Sequence, residues 1–298
     1  MTTATAPAPH AGLEGIRLSF PRLVRSEWIK LRSIRSTVWC FALLFVLNIG
    51  FPLLIASVGS FGDAQNPHLS GDTAGAIGVQ VITLGVNFTS LIVGVLGVLI
   101  ISGEYATGMI RGTFTADPGR LGAVFAKAIV LAVAAFVVSA ISTWVAALIV
   151  HPILSGKGVD FDLGDSKVFL PLLGSSVYVT LIALFAFGVG MIVRTTAGGI
   201  AITLGLLLVV PIIFSIVGGL VDANWPANIN AFLPSNAGGQ LFAFASDTSG
   251  AATGGAQVDQ ASSSDVVTLN GWEGFGVLGA EVLAVGIAAL VLIKRRDA

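Results

Sequence analysis

The chain carries its most chemically equipped stretch between residues 103 and 127, GEYATGMIRGTFTADPGRLGAVFAK, with long uncharged apolar runs on either side. Glu104 supplies a carboxylate, Arg111 and Arg120 supply guanidinium groups and Lys127 supplies an ammonium. Met109, Ile110 and Phe114 lie among them, and Asp117-Pro118-Gly119 is a turn signal. Such a set suits charge-assisted pairing and apolar docking, which is recognition rather than bond making. Gly103 and Gly108 permit a tight exit from the preceding apolar run and close approach by another backbone. One further carboxyl, Glu281, stands inside an apolar run, where ionisable groups are costly and default to a functional hypothesis; snorkelling toward the interface is the plainer reading.

Motifs for catalysis are absent. There is no G-x-x-x-x-G-K-[ST] loop for nucleotide hydrolysis, no H-E-x-x-H, no G-x-S-x-G and no paired Cys/His metal spacing. His10, His68 and His151 are scattered, and the single Cys40 excludes an intrachain disulfide. No basic cluster suggests nucleic-acid binding away from a membrane.

The elements that must position these residues are set by solvent. The 298 residues are 55% hydrophobic and 10% charged, against about 25% charged in an ordinary soluble domain. So apolar a chain cannot cover a water-facing surface, and its solvent must largely be lipid. Six runs are long enough to span, at 38–58, 79–102, 123–150, 171–193, 198–221 and 274–293, each near the roughly 20 residues that a bilayer requires. The fourth and fifth are divided only by a turn at Arg194-Thr195-Thr196, and Pro52 and Pro211 lie inside spans one and five. Asn48, Gln80 and Asn87 are expected to hydrogen-bond across helices. Gly276, Ala280, Ala284 and Ala288 recur at i+4, a face for internal packing or for a subunit seam.

Lysine and arginine set the orientation. Thirteen of the 15 fall in the leading segment, the loop between spans two and three, the Arg194 turn and the tail, while the opposite loops hold only Lys157 and Lys167. The positive-inside rule therefore expects both termini in the cytoplasm of a multi-pass plasma-membrane protein. Residues 1–19 read as a disordered cytoplasmic N-terminus with no cleaved targeting segment, 20–36 as an amphipathic helix, 37–293 as the six-span unit and 294–298 as a cytoplasmic tail. The last external loop, 222–273, begins with a stretch apolar enough to dip into the outer interface and continues as a Gly/Ser/Ala segment.

In residues 20–35, FPRLVRSEWIKLRSIR, the side chains of Phe20, Leu23, Val24, Trp28, Leu31 and Ile34 fall within an arc of roughly 140° on a helix. Arg22, Arg25 and Arg32 lie opposite, Lys30 adds to the basic charge, and Glu27 and Arg35 intrude on the apolar arc. A basic helix with a tryptophan reads as lying in the cytoplasmic interface. It is either a plain anchor or an in-plane helix that also touches a cytoplasmic partner.

At this point the chain resembles a known family. Gly103-Glu104-Tyr105-Ala106-Thr107-Gly108, then Pro118-Gly119-Arg120 and Ala126-Lys127 ahead of the next span, look like the permease subunit of ABC-2 type transporters. The N-terminal SEWIKLRSIRSTVW is similar to the start of such permeases in actinobacteria. The resemblance implies an all-α polytopic membrane protein whose segment after span two forms a cytoplasmic coupling helix, seated in a groove on a separate nucleotide-binding subunit. Glu104 would then make polar contacts near that helix, with Gly103, Tyr105, Gly108, Pro118 and Lys127 completing the motif. Met109, Ile110 and Phe114 would be its apolar knobs, and Arg111 and Arg120 would pair with acidic groups on the partner. Gly112 departs from a regular helix there. The resemblance further implies two permease copies or a permease and its paralogue, a path lined by spans two and five, and outward transport of drugs, peptides, lipids or lipid-linked compounds. ATP and magnesium would sit on the partner, none on this chain.

An autonomous secondary carrier is the alternative. A carrier should bury several ionisable groups in its spans, and Glu281 alone qualifies; a two-half repeat is also not evident. A membrane enzyme should show a catalytic constellation, and none is visible.

Overall fold

The structure, a computed structural model, describes residues 19–61, 68–109, 121–221, 223–245 and 266–296. Among them the chain is helical, and no strand forms beyond one isolated bridge between Leu69 and Val159. Helix α1, Phe20–Ser33, is followed after one extended residue, Ile34, by α2, Arg35–Val58. Then come α3, Gly71–Thr107, α4, Leu121–Ser155, and α5, Ser166–Val193. Span five is divided into α6, Thr196–Leu204, a π-turn over Gly205–Val209, and α7, Val210–Leu220. Two short helices, α8, Trp225–Ala231, and α9, Pro234–Gly239, precede the long α10, Gly271–Arg296.

Six of these stretches are long and apolar enough to cross a membrane, so the protein is an all-α polytopic membrane protein. Six successive crossings put the start of α2 and the last turn of α10 at one end of the bundle, here called the terminal end. At 37 residues α3 is about 55 Å long, well beyond a hydrocarbon core of about 30 Å, so it tilts or projects past the lipid.

Helices α3 and α5 form the centre. In its most apolar stretch α5 has 67% of its residues buried and α3 56%, against 17% in each of spans one, five and six. Their close crossing depends on Gly97, where an added Cβ would lie 2.5 Å from the Ala183 carbonyl oxygen. Small residues at such a crossing are what helices need to attract in lipid, where dispersion and hydrogen bonding replace the hydrophobic effect. Asn48 of α2 is wholly inside and donates to Ser142 Oγ at 2.7 Å and Thr143 Oγ1 at 2.9 Å, so it joins α2 to α4. The expected cross-helix bond is therefore present for Asn48, but Gln80 and Asn87 lie exposed on α3. The small face Gly276, Ala280, Ala284, Ala288 is also exposed, so the chain's own packing does not use it.

Local sequence explains the ends. Arg194 closes α5 in the left-handed conformation, φ 59°, with its N–H bonded to Gly190 O, and the chain turns directly into α6. Pro211 has no N–H to give the helix, and the widened turn immediately before it is where span five loses regular α geometry. Asn270 and Glu273 cap α10 reciprocally: Asn270 Oδ1 accepts from the Glu273 N–H, and Glu273 Oε2 accepts from the Asn270 N–H, both at 2.9 Å. At the end opposite the termini, α8 and α9 lead into a 3₁₀ turn that places Phe242 against Tyr178, ring centres 5.3 Å apart, and buries Phe244. There, too, Lys167 pairs with Asp72 at 3.1 Å, and Lys157 donates to the carbonyls of Ser57 and Gly59.

Candidate functional site

Of the charged residues singled out in the sequence, Glu104, Lys127 and Lys30 converge at the terminal end, where three helices meet. Glu104 lies near the C-terminus of α3 and Lys127 in the second turn of α4. Glu27 and Lys30 stand one turn apart on α1, on the face that packs against α4. Lys127 Nζ donates to Glu104 Oε1 at 2.8 Å and to Glu27 Oε2. Lys30 Nζ donates to Glu27 Oε1 at 2.9 Å and to Glu104 Oε1 at 3.3 Å. Two carboxylates and two ammonium groups thus form a neutral quartet across α1, α3 and α4.

Burial makes this quartet unusual. Glu27 and Glu104 are 5% exposed and Lys127 is 6% exposed; only the Lys30 side chain, at 40%, reaches solvent. A charge removed from water costs several kcal/mol by itself, so each member is tolerated because the others answer it. Burial alone would lower the Lys30 pKa. The hydrogen bond to Glu27, with the negative charges of Glu104 and Glu27, outweighs it and leaves the ammonium above its ordinary value. Glu104 Oε2 is buried and has no hydrogen-bond partner among the described residues.

Around the quartet the other motif residues divide. Tyr105 packs against the central core, and the Arg194 guanidinium lies 5.2 Å from its ring centre, so the α5–α6 turn is tied to the same end of α3. Gly103 has open space where a side chain would be. Gly108, at φ 70°, terminates α3 in the left-handed conformation that glycine adopts without strain, and Met109 beyond it is exposed. Ile110, Arg111, Phe114, Pro118 and Arg120, and with them the expected coupling helix, lie outside the described residues. On α1, Arg22, Arg25, Trp28 and Arg32 are exposed, while Leu23, Val24 and Leu31 flank Glu27 on the packed side. Glu281 takes no part: it is half-buried in α10, and its Oε2 has no partner among the described residues.

Sequence reasoning missed Glu27. It stood out only as a carboxylate spoiling the apolar arc of a basic helix. That blemish was the signal, because a lone acid facing inward needs a buried base, and Lys127 is that base. Arg194 was used to locate a turn, and its ring contact with Tyr105 was not foreseen. Among the described residues no group of three or more His, Cys, Asp or Glu is placed to hold a metal ion.

No curated protein matches the chain. The family model described as ABC-2 family transporter protein matches residues 23–218, a region that begins within α1, contains all four quartet residues and ends within α7. With well over half of its length matched, this chain belongs to the ABC-2 family of transporter proteins.

Proposed function

We propose that this chain is the membrane permease of an ATP-driven exporter, which couples hydrolysis on a separate nucleotide-binding subunit to movement of substrate across the plasma membrane. The observation that carries this reading is the buried quartet Glu27, Lys30, Glu104, Lys127 at the terminal end. The excess of Lys and Arg assigns that end to the cytoplasm. Helix α1 presents Arg22, Arg25 and Arg32 outward, while α3 ends at Thr107–Gly108, about one turn beyond Glu104. An ATPase that docks on these two elements would push on α1 and on the loop together. Ion pairs closed off from water resist sliding, because separating them leaves uncompensated charge. A push is therefore delivered to α3 and α4 as one body instead of being lost in a hinge.

In this reading ATP and magnesium are held by the partner, and this chain contributes binding surface and transmission but no hydrolytic chemistry. Two permease copies, or this chain and a paralogue, enclose the path, with spans two and five facing it. Substrate leaves the cell through that path.

The test is a pull-down of the tagged chain from gently solubilised native membranes, with identification of its companions by mass spectrometry. A P-loop ATPase that is recovered with the wild type and lost when residues 109–120 are scrambled is the expected result. Absence of any ATPase would overturn the proposal in favour of an autonomous carrier. The Glu281 carboxyl, whose Oε2 has no partner among the described residues, would then be the first group to substitute.

A further inference from the structure

Beyond the quartet, the terminal half of α3 carries a second set of contacts, and these go to span five. Helix α6 runs antiparallel along α3 in a fixed register. Thr196 Oγ1 donates to Ser102 Oγ at 3.0 Å, and Ser102 is wholly enclosed. A Cβ added at Gly199 would lie 2.6 Å from Val98 Cγ1. One added at Gly94 would lie 3.2 Å from Thr203 Cγ2 and 3.4 Å from Leu207 Cδ1. Residues 196, 199 and 203 thus lie in turn over 102, 98 and 94, with little space to spare at the glycines. Gly190, in the last turn of α5, closes another side: a Cβ there would stand 2.7 Å from Ile101 Cγ2 and 3.1 Å from Val98 Cα.

Arg194 joins α5 to α6 in the left-handed conformation, φ 59°, which a residue with a side chain adopts only at a cost. Glycine would close α5 without that cost, so what arginine adds there is its side chain. The guanidinium lies 5.2 Å from the ring centre of Tyr105, the chain neighbour of Glu104. The far limit of the seam is the π-turn. Gly205, which opens that turn, has nothing within 4 Å of where a Cβ would be, and Leu207 is the last buried residue of span five. Past Pro211, α7 is tied to α8 instead: Phe214 meets Trp225 with ring centres 6.3 Å apart, and Asn230 Nδ2 donates to Ser215 Oγ at 3.2 Å. A widened turn beside a proline has given up regular helical hydrogen bonds, and bending concentrates there.

We infer that span five is a jointed element, in which α6 is clamped to α3 and moves with it while α7, together with α8, swings about the π-turn. Tyr105 and Arg194 are the positioning pair that locks the clamp beside Glu104. A displacement of α3 carries α6 along and becomes a change of angle at 205–211. Without the clamp α6 would slide over α3, and without the joint span five would move as a straight rod. The source of the displacement rests on the coupling reading above; the clamp itself does not.

The test uses the full chain in lipid nanodiscs with Cys40→Ala as background. Spin labels are placed in two pairs, Ala106→Cys with Ile202→Cys and Ala106→Cys with Ile216→Cys, all at exposed positions. The pairs share one reference on α3 and read span five on either side of the π-turn. In the chain alone the 106–202 distance distribution is expected to be about twofold narrower than the 106–216 distribution. Tyr105→Leu is expected to broaden 106–202 to the width of 106–216, and Tyr105→Phe, which keeps the ring, to leave it narrow. Equal widths in the unsubstituted chain, or a 106–202 width that ignores Tyr105→Leu, would overturn the clamp. In the complex with its ATPase, trapping with ATP and vanadate is expected to move 106–216 by about 5 Å and to leave 106–202 in place. Movement of both pairs alike, or of neither, would overturn the joint. Recovery of no ATPase with the chain would remove the coupling reading, and the widths in the chain alone would still decide the clamp.

Discussion

Helix α3 is tied by ion pairs at both ends, and the two ties differ in kind. At the terminal end Glu104 meets Lys127 and Lys30 inside a packed three-helix junction. At the far end Asp72 meets Lys167 at 3.1 Å, with side chains 47% and 27% exposed. Both are carboxylate–lysine pairs within hydrogen-bonding distance, but water screens one and is excluded from the other. The exposed pair adds about 0–1 kcal/mol. The buried pairs are not strong glue relative to an apolar junction of the same shape, yet loss of one member strands the remaining charges. The terminal end is thus built to resist relative motion of α1, α3 and α4, and the far end tolerates it.

The sharpest way to break this contrast is Glu104→Ala. It leaves Lys127 with Glu27 alone, and it is expected to destabilise the protein by about 3–5 kcal/mol, read as a large drop in thermal midpoint in detergent. Transport is expected to separate from ATP hydrolysis while the chain still inserts; normal transport and normal ATPase stimulation in both Glu104→Ala and Glu104→Arg would remove Glu104 from the coupling machinery. The triple replacement Glu27→Leu, Glu104→Leu, Lys127→Met should recover most of the lost stability, because a well-packed apolar junction replaces all three buried charges. If it remains as unstable as Glu104→Ala, burial of charge is not what sets the cost.

A smaller effect is expected at Asn48→Ala, where two hydrogen bonds to α4 are lost within the bundle. Interhelical bonds of this type are worth roughly 1 kcal/mol in lipid, and the same thermal measurement reads it. Smaller again is Asp72→Asn, expected to cost under about 1 kcal/mol and nothing measurable in high salt; a loss that persists in salt would make the far end as protected as the terminal one. The smallest effect belongs to Lys30, the solvent-facing member of the quartet. Its pKa is raised in the folded protein, so its contribution is fully present below the ordinary lysine value and disappears as pH climbs past the raised one. Thermal midpoints should therefore fall less steeply in strong alkali for Lys30→Met than for wild type, with no difference in slope near neutrality.

The six spans were legible because length and apolarity alone define them in lipid, and the turn at Arg194-Thr195-Thr196 was enough to separate four from five. The faces of those spans were not legible. When nearly every residue of a helix is apolar, the sequence hardly indicates which side turns inward, so Asn48, Gln80 and Asn87 read alike although only Asn48 is enclosed. Pro211 suggested a tolerated proline, but not that span five leaves α3 there. The quartet was half visible. Glu104 and Lys127 belonged to a recognisable motif, whereas Glu27 became meaningful only once the fold brought it to a lysine 100 residues away.

That separation of 100 residues has a consequence for how the protein is made. Glu27 leaves the ribosome well before Lys127 does, by about 5–20 s at ordinary rates of synthesis. Through that interval only Lys30 of the same helix, whose side chain reaches solvent, answers the Glu27 carboxylate, and burying the acid without Lys127 is costly. Helix α1 must wait at the water-facing surface until spans two and three have been threaded into the membrane. Its docking is therefore a late step that marks the first half of the bundle as assembled.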